Sequence, residues 1–577
     1  MNVKERLDAL REAMDSLDLS AYLVTTYDPH GSEYVAPYYR VREYLSGFTG
    51  SAGTLLVTTE SAFLWTDSRY FLQAEKELEG SDIILMKEGT KGVPGIADYI
   101  RQNLSGKRLG MDGRCVPLRQ AAAYGAAARV VDADLVSYIW QDRPPLLSAP
   151  AFALDVSMAG VSAKDKLSAL RKHMAAKGAR ALLITDLMDG AWLFNLRGAD
   201  VPFTPMARFF ALVESDVCFV FMAFETALPV KEYLQGLGAE ILDYDSIHPF
   251  MARYKAGDSV LVSPPSVSMS LAIELRGRGA TMVESDCLAM ARCVKNEAEL
   301  TCTREAHIKD GVAMTRFLRY IKGNAEKLDE YSAGVYLDRL RREEGCIGPS
   351  FATIAGYGPN GAVVHYSAPE EGSLPLRRQG LLLVDSGGQW PGATTDVTRT
   401  IVLGALKDEE KAHFTLVLRS MLILMNARFP KGVDGAKLDV LARAPMWQVG
   451  LNYGHGTGHG VGAMLSVHEP PVRIRYDQPS VPFQKGMVVS DEPGLYVAGS
   501  YGVRTENLLE CVELPDGMLG FRPLTFVPID LDAVDKSLMD PGDIARLNAY
   551  HSEVREKLSP LLSGEDKTFL AQATRSI

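Results

Sequence analysis

Two acid-bearing hairpin patterns constrain this chain more than any other feature. In GLLLVDSGGQWPGATTDVTRTIVLG (380–404), apolar β-branched runs flank a turn rich in Gly and Pro, which predicts a β-hairpin. Asp385 and Asp396 are equidistant from its centre, between Trp390 and Pro391. A symmetric hairpin sets these two carboxylates opposite each other. In VVSDEPGLYVAGSYGVRTENLLE (488–510), Glu492 and Glu506 are likewise equidistant from Gly499. Arg504, two residues before Glu506, points to the same face of its strand. In each pattern a buried-type apolar run leads into an acid, and close like charges need a cation or a shared proton. One such hairpin is compatible with a turn-capping Asp beside an exposed one. Two of them predict a carboxylate cluster.

Between the hairpins lies GHGTGHGVG (454–462), with glycine at every second position. A helical HxxxH zinc motif needs helix formers between its histidines, and GTG is a poor filler. No Glu follows His455, so the zincin pattern is absent. No Lys follows either, and the spacing fits neither a P-loop nor a dinucleotide fingerprint. An extended segment puts His455, Thr457 and His459 on one face and lets the backbone approach another chain segment or a ligand. His468 in SVHEPP and His365 in GAVVHYSAP add two imidazoles. Four carboxylates plus imidazole suit hard or borderline divalent ions. Five such ligands exceed the three usual for one catalytic zinc and suit two metals sharing bridging carboxylates. Such a pair activates water and polarises a carbonyl, which is hydrolase chemistry.

The rest of the chain predicts tandem α/β units. RLDALREAM followed by SAYLVTTYD resembles KLSALRKHM followed by RALLITDLM at an offset of 160 residues. Leu7, Leu10 and Met14 recur as Leu167, Leu170 and Met174, and each copy is a charged helix running into an apolar strand. With 577 residues, two to four domains are expected. Prolines in 141–155 and a long helix pattern from about 295 divide the chain into 1–152, 153–293 and 294–577, with a C-terminal extension from about 517. A net charge of -11 disfavours a nucleic-acid backbone or an anionic membrane surface as partner. Seven scattered cysteines without a CxxC pair, and no run of 18 apolar residues, predict a soluble cytoplasmic protein.

The order Asp, eleven residues, Asp, then His, Glu and Glu resembles the pita-bread metallopeptidases: methionine aminopeptidase, prolidase and aminopeptidase P. More narrowly, the chain resembles the three-domain cytosolic aminopeptidases P, or Xaa-Pro aminopeptidases. The strings that carry this are SEYVAPYYRVREYLSGFTGSAGT, WTDSRYFLQA, LFNLRGADV, HGTGHGVG, SVHEPP and DEPGLY. The resemblance implies two related α/β domains followed by a pita-bread catalytic domain. It implies that Asp385 is a terminal ligand of one metal and Asp396 a bridging ligand. His459 and Glu492 are then terminal ligands of the second metal, and Glu506 bridges. The family's usual metal is manganese, with zinc and cobalt left open by the ligand chemistry.

The implied reaction removes an N-terminal residue when proline follows it, by attack of a hydroxide bridging the two metals. Glu492 shuttles the proton, His468 helps stabilise the tetrahedral species, and His365 and His455 hold the substrate at a proline pocket. Arg504 orients the carboxylates, and Arg69 in DSRY resembles a substrate-contacting residue of the first domain. Relatives dimerise, which places Trp447 at a dimer contact. His30, with Glu33 in DPHGSEY, reads as a loop hydrogen-bonding residue, with a substrate contact across a subunit boundary as the alternative, and His413 reads as structural. A prolidase cutting only Xaa-Pro dipeptides is the nearest alternative, disfavoured by the duplicated N-terminal domain and HGTGHGVG. A non-catalytic scaffold is a further alternative, disfavoured by the intact ligand set.

Overall fold

The helix-then-strand repeat folds twice into the same sheet. The computed structural model describes residues 1–577 as two units, residues 1–156 with 161–288 and residues 157–160 with 289–577. In the first unit, α1 (Val3–Ser16) precedes β1 (Ala21–Val24), β2 (Thr54–Thr58), β3 (Ala62–Thr66), β4 (Ile83–Lys87), β5 (Arg108–Met111) and β6 (Arg129–Asp132). The second copy has α2 (Ala163–Ala176), then β7 (Ala181–Ile184), β8 (Phe209–Glu214), β9 (Cys218–Met222), β10 (Ala239–Leu242), β11 (Ser259–Val262) and β12 (Thr281–Glu284). The strand orders are β4-β3-β2-β1-β5-β6 and β10-β9-β8-β7-β11-β12, so the two sheets share one topology. In both, the first strand pairs antiparallel with the second and parallel with the fifth.

The repeated residues explain the repeated packing. Asn2 and Glu5 form a capping box at the start of α1, and Ser162 caps α2. Leu7, Leu10 and Met14 are buried on α1, as are Leu167, Leu170 and Met174 on α2, one apolar stripe against each sheet. His30 is buried in this unit, bonded to the Thr185 carbonyl and the Tyr244 hydroxyl, each at 2.8 Å. It is a structural histidine, as its loop context predicts.

The second unit pairs helices with antiparallel sheets. Helices α3 (Glu297–Asn324) and α4 (Glu330–Glu343) cover a sheet of β13 (Ile354–Tyr357), β14 (Leu381–Ser386) and β15 (Val397–Val402). Phe317, Leu337 and Leu340 of the helices share a core with Leu382, Val384, Val397 and Ile401. Helices α5 (Asp408–Met425) and α6 (Gly435–Trp447) share the other large core with β16 (Val488–Asp491) and β19 (Asn507–Glu513), through Leu418, Met421, Leu438, Val489 and Leu509. Between those strands run β17 (Gly494–Val497) and β18 (Tyr501–Arg504). Each acid-bearing hairpin thus has apolar residues held under a helix pair. Near the C-terminus, α7 (Pro541–Leu558) adds Leu547, Tyr550 and Val554 to the second core. No helix is long and apolar enough to cross a membrane.

The two hairpins meet the symmetric expectation differently. The second keeps it: Gly494 pairs with Arg504 and Asp491 with Asn507, so Glu492 and Glu506 lie between matched ladders centred on Gly499. The first does not. Asp385 pairs with Thr398 and Trp390 with Ala393, which moves the turn centre one residue, to between Pro391 and Gly392. Gly392 has a φ of +73°, a left-handed conformation that glycine accepts without a Cβ clash, and this sets the turn there. Asp396 is therefore diagonal to Asp385 rather than opposite it. A shift of two positions leaves both carboxylates on one face.

Candidate metal centre

The glycines at 458, 460 and 462 are a packing requirement. Gly458 and His459 pair with Ile474 and Arg473, and Gly460 bridges to Val489. A Cβ on Gly458 would lie 2.0 Å from the Ser490 carbonyl oxygen, and one on Gly460 would lie 2.2 Å from that of Glu469. Only glycine fits at either place. The segment is thereby laid against β16, and Glu492 donates its N–H to the Thr457 carbonyl at 2.8 Å.

Three side chains from three elements then converge. Ligand atoms of Asp396, His459 and Glu506 lie within 4.8 Å of one another. His459 Nε2 is 3.5 Å from Asp396 Oδ2 and 3.4 Å from Glu492 Oε1, and its Nδ1–H donates to the Gly460 carbonyl at 2.9 Å. That bond leaves Nε2 as the atom facing the acids. Thr398 donates to Glu506 at 2.8 Å. Asp385 is held by Arg504 Nη2 at 2.6 Å. Asp385 Oδ1 and Glu506 Oε1 are buried without a hydrogen-bond donor. Among buried acids such bare oxygens mark a place for a cation.

The electrostatics agree. Burial raises the Glu506 carboxyl well above the carboxylate range, and Asp396, Glu492 and Asp385 add to it. Burial pushes Glu492 up to about 7 against the opposing pull of His459 and Arg504. Asp385 is also raised by burial, offset by Arg504. Burial depresses the His459 imidazole, but its bond to Asp396 and the charges of Glu492 and Asp396 outweigh this and lift it to about 9. The four acids are short of positive charge, a deficit that divalent ions would fill.

Two of the other predicted residues, His468 and His455, are tied to this cluster. The His468 ring meets that of His459 edge-on, with centroids 4.3 Å apart. His455 is bonded through Nε2 to the Tyr496 hydroxyl at 2.8 Å and through Nδ1 to the Gly456 carbonyl at 2.7 Å. Tyr496 also takes Arg504 Nη1 at 2.6 Å. The chain His455–Tyr496–Arg504–Asp385 therefore links one end of GHGTGHG to the first hairpin. His365 lies in the loop after β13, next to Val364, whose carbonyl accepts Arg504 Nη2 at 3.4 Å. Arg69 belongs to the N-terminal unit, where its guanidinium forks onto Asp67 at 2.7 and 2.8 Å.

Comparison with known proteins gives this arrangement a family. Residues 301–513 match the model of metallopeptidase family M24, and 6–140 and 142–299 each match a creatinase/prolidase N-terminal domain. Residues 517–577 match the C-terminal region of the M24 peptidases. Aminopeptidase P2 of Arabidopsis thaliana is 36% identical over 97% of this chain and 87% of its own length. This chain belongs to the aminopeptidase P family. X-prolyl aminopeptidase of Caenorhabditis elegans, a cytosolic enzyme with a di-nuclear active site, superposes with a TM-score of 0.96 at 30% identity, covering all of both chains. Prolidase of Pyrococcus horikoshii shares the fold at 22% identity and a TM-score of 0.52, over 64% of this chain. The pita-bread fold expected from the resemblance is therefore that of the second unit, preceded by two related α/β domains.

Several supporting residues of this aminopeptidase P chain escape a motif reading. Tyr496 was within reach: it shares the parity of Glu492 along one strand, so it lies on the same face. Thr398, Asp439 and Arg443 were not, because they act through partners distant in sequence. On α6, Arg443 pairs with Asp439 at 2.7 Å and donates to the carbonyls of Tyr453 at 2.8 Å and His455 at 2.7 Å. Asp439 accepts the Thr457 hydroxyl. Thr457 is thus turned into α6 as the anchor of its segment, bonded away from the acids that His459 meets.

Proposed function

We propose that this chain is a metal-dependent Xaa-Pro aminopeptidase, releasing the N-terminal residue of peptides with proline in second place. The observation that carries the reading is the convergence of Asp396, His459 and Glu506 within 4.8 Å, with bare buried oxygens on Asp385 and Glu506. Four carboxylates and one imidazole fit two divalent ions, and manganese suits so oxygen-rich a set. Asp385, Asp396, His459, Glu492 and Glu506 would hold them. When bound, the ions supply an activated water and polarise the scissile carbonyl.

The chain's own groups do the rest. Glu492 relays the proton from the attacking water to the leaving proline nitrogen. His468 donates to the oxygen on which charge develops as the carbonyl carbon becomes tetrahedral. Both nitrogens of His455 are bonded within the protein. It therefore offers its ring surface to the proline, and His365 lines the same pocket. Arg504 fixes Asp385, and Arg69 serves the substrate from the N-terminal part of the chain. Domains 1–152, 153–293 and 294–577, the last including the extension from about 517, divide these roles.

We further place the enzyme in the cytoplasm as a homodimer. Val440, Leu441, Trp447, Val449 and Tyr476 expose apolar surface on and beside α6, which a second copy would cover. The deciding assay is Mn²⁺-supplemented hydrolysis of Arg-Pro-Pro beside Gly-Pro. Release of arginine is expected. Cleavage of the dipeptide alone would identify a prolidase instead, and no hydrolysis with a metal-free protein would leave a binding scaffold.

A further inference from the structure

We propose that Glu330, in the first turn of α4, is a positioning residue that fixes the His365 loop, an inference that rests on the aminopeptidase reading above and adds a residue to it. Residues 358–374 carry His365 and hold little regular structure, a single 3-10 turn at Gly358–Ala362. Yet both ends and the middle of this stretch converge on one carboxylate. Glu330 accepts the Tyr357 N–H at 2.7 Å, the Leu374 N–H at 3.1 Å and the Tyr366 hydroxyl at 2.8 Å. It also accepts the Asn360 amide at 3.0 and 3.1 Å, and Asn360 donates in turn to Tyr366 at 3.0 Å. The Glu330 N–H donates to the Leu374 carbonyl at 3.2 Å, closing the far end.

Glu330 is fully buried, and the donors around it are all neutral. A carboxylate buried without a cation is expensive and persists only where its acceptor positions are filled. Here the His365 loop and the residue opening it fill them all. The charge therefore has one structural consequence, the path of that loop. His365 is adjacent to Tyr366, which Glu330 holds, and one residue from Val364, whose carbonyl Arg504 holds at 3.4 Å. The loop is pinned on one side by α4 and on the other by the arginine that binds Asp385. A histidine on an irregular loop gains a fixed position from these two charges.

The test is a cycle of Glu330→Gln, His365→Ala and the double variant, measured as KM and kcat on Arg-Pro-Pro with metal content determined on each. Glu330→Gln should keep the wild-type metal content and raise KM about tenfold, with a smaller change in kcat. The double variant should be no worse than His365→Ala, because both lesions act through one residue. Mere loss of folded enzyme would lower kcat at constant KM. An unchanged KM, or losses that multiply in the double variant, would overturn the proposal. Should Glu330→Gln fail to fold, Tyr366→Phe removes a single donor and should raise KM about threefold, an effect absent on the His365→Ala background. A normal KM in Tyr366→Phe would equally overturn it. An inactive wild type would defeat the aminopeptidase reading itself, whereas an active wild type indifferent to Glu330→Gln defeats only the positioning role.

Discussion

At the scale of single residues, the site is defined by charges that the protein alone does not balance. Asp396→Ala and Glu506→Ala should each lower turnover by orders of magnitude and reduce bound metal, since each would hold both ions. Elemental analysis beside kinetics checks this, and near-normal turnover in either variant would refute the assignment. Tyr496→Phe should cost about 10- to 100-fold in kcat/KM, the usual penalty for removing a partner that orients a site from behind. It severs the bonds at 2.8 Å to His455 and 2.6 Å to Arg504 while leaving the acids in place. Of the five proposed ligands, Asp385 and Glu492 were legible because each acid follows an apolar run, and Asp396 and Glu506 were legible as their hairpin mates, whereas His459 was singled out from the other histidines only by resemblance to the family. Tyr496 was legible only by parity. Asp439 was not legible at all, since nothing in DVLARAP announces that its carboxylate meets Thr457.

At the scale of elements, α6 is the brace of the histidine segment. The Asp439–Arg443 pair is buried, and removing one partner of such a pair destabilises by about 3–5 kcal/mol. Asp439→Asn should show a loss of that order in denaturant unfolding. Thr457→Val should cost less, about 1–3 kcal/mol for an unsatisfied partner. The C-terminal element has a different signature. His551 on α7 is fully buried, its Nε2 accepting the Ile529 N–H at 3.0 Å. Burial, with Arg399, Arg555 and Arg575 nearby, lowers its pKa from 6.5 to about 3. Between those values the unfolded chain binds a proton that the folded one refuses, so stability rises with pH. The contribution is complete above 6.5 and declines as pH falls toward 3, by up to about 1.4 kcal/mol per unit. Melting temperature should therefore drop as the pH is lowered from 7 to 5, and less so in His551→Gln. An equal drop in both proteins would remove His551 as the cause.

At the scale of the whole molecule, metal and assembly are the expected levers. Ions that bind the folded acid cluster and not the unfolded chain stabilise by mass action. Chelation should lower the melting temperature and added Mn²⁺ restore it, and a melting curve blind to both would argue against a built metal centre. Trp447→Glu places a charge in the exposed apolar strip beside α6 and should shift sedimentation from dimer to monomer. A dimer that persists in this variant would move the interface elsewhere.

Sequence alone determined the kinds of element and the chemistry they bear. Periodicity fixed the α/β copies, down to an offset of 160 residues that places β7 where β1 stands. The two hairpins fixed the four candidate acids and the family resemblance chose His459, and these patterns are local, written in neighbours along the chain. Tertiary structure decided what no local pattern contains. The turn at Gly392 set Asp396 diagonal to Asp385, because a hairpin's register follows from its turn geometry and not from symmetry in the letters. The partners of Thr457, Arg504 and Glu330 come from elsewhere in the fold, because a buried polar group is satisfied by whatever the packing brings within reach.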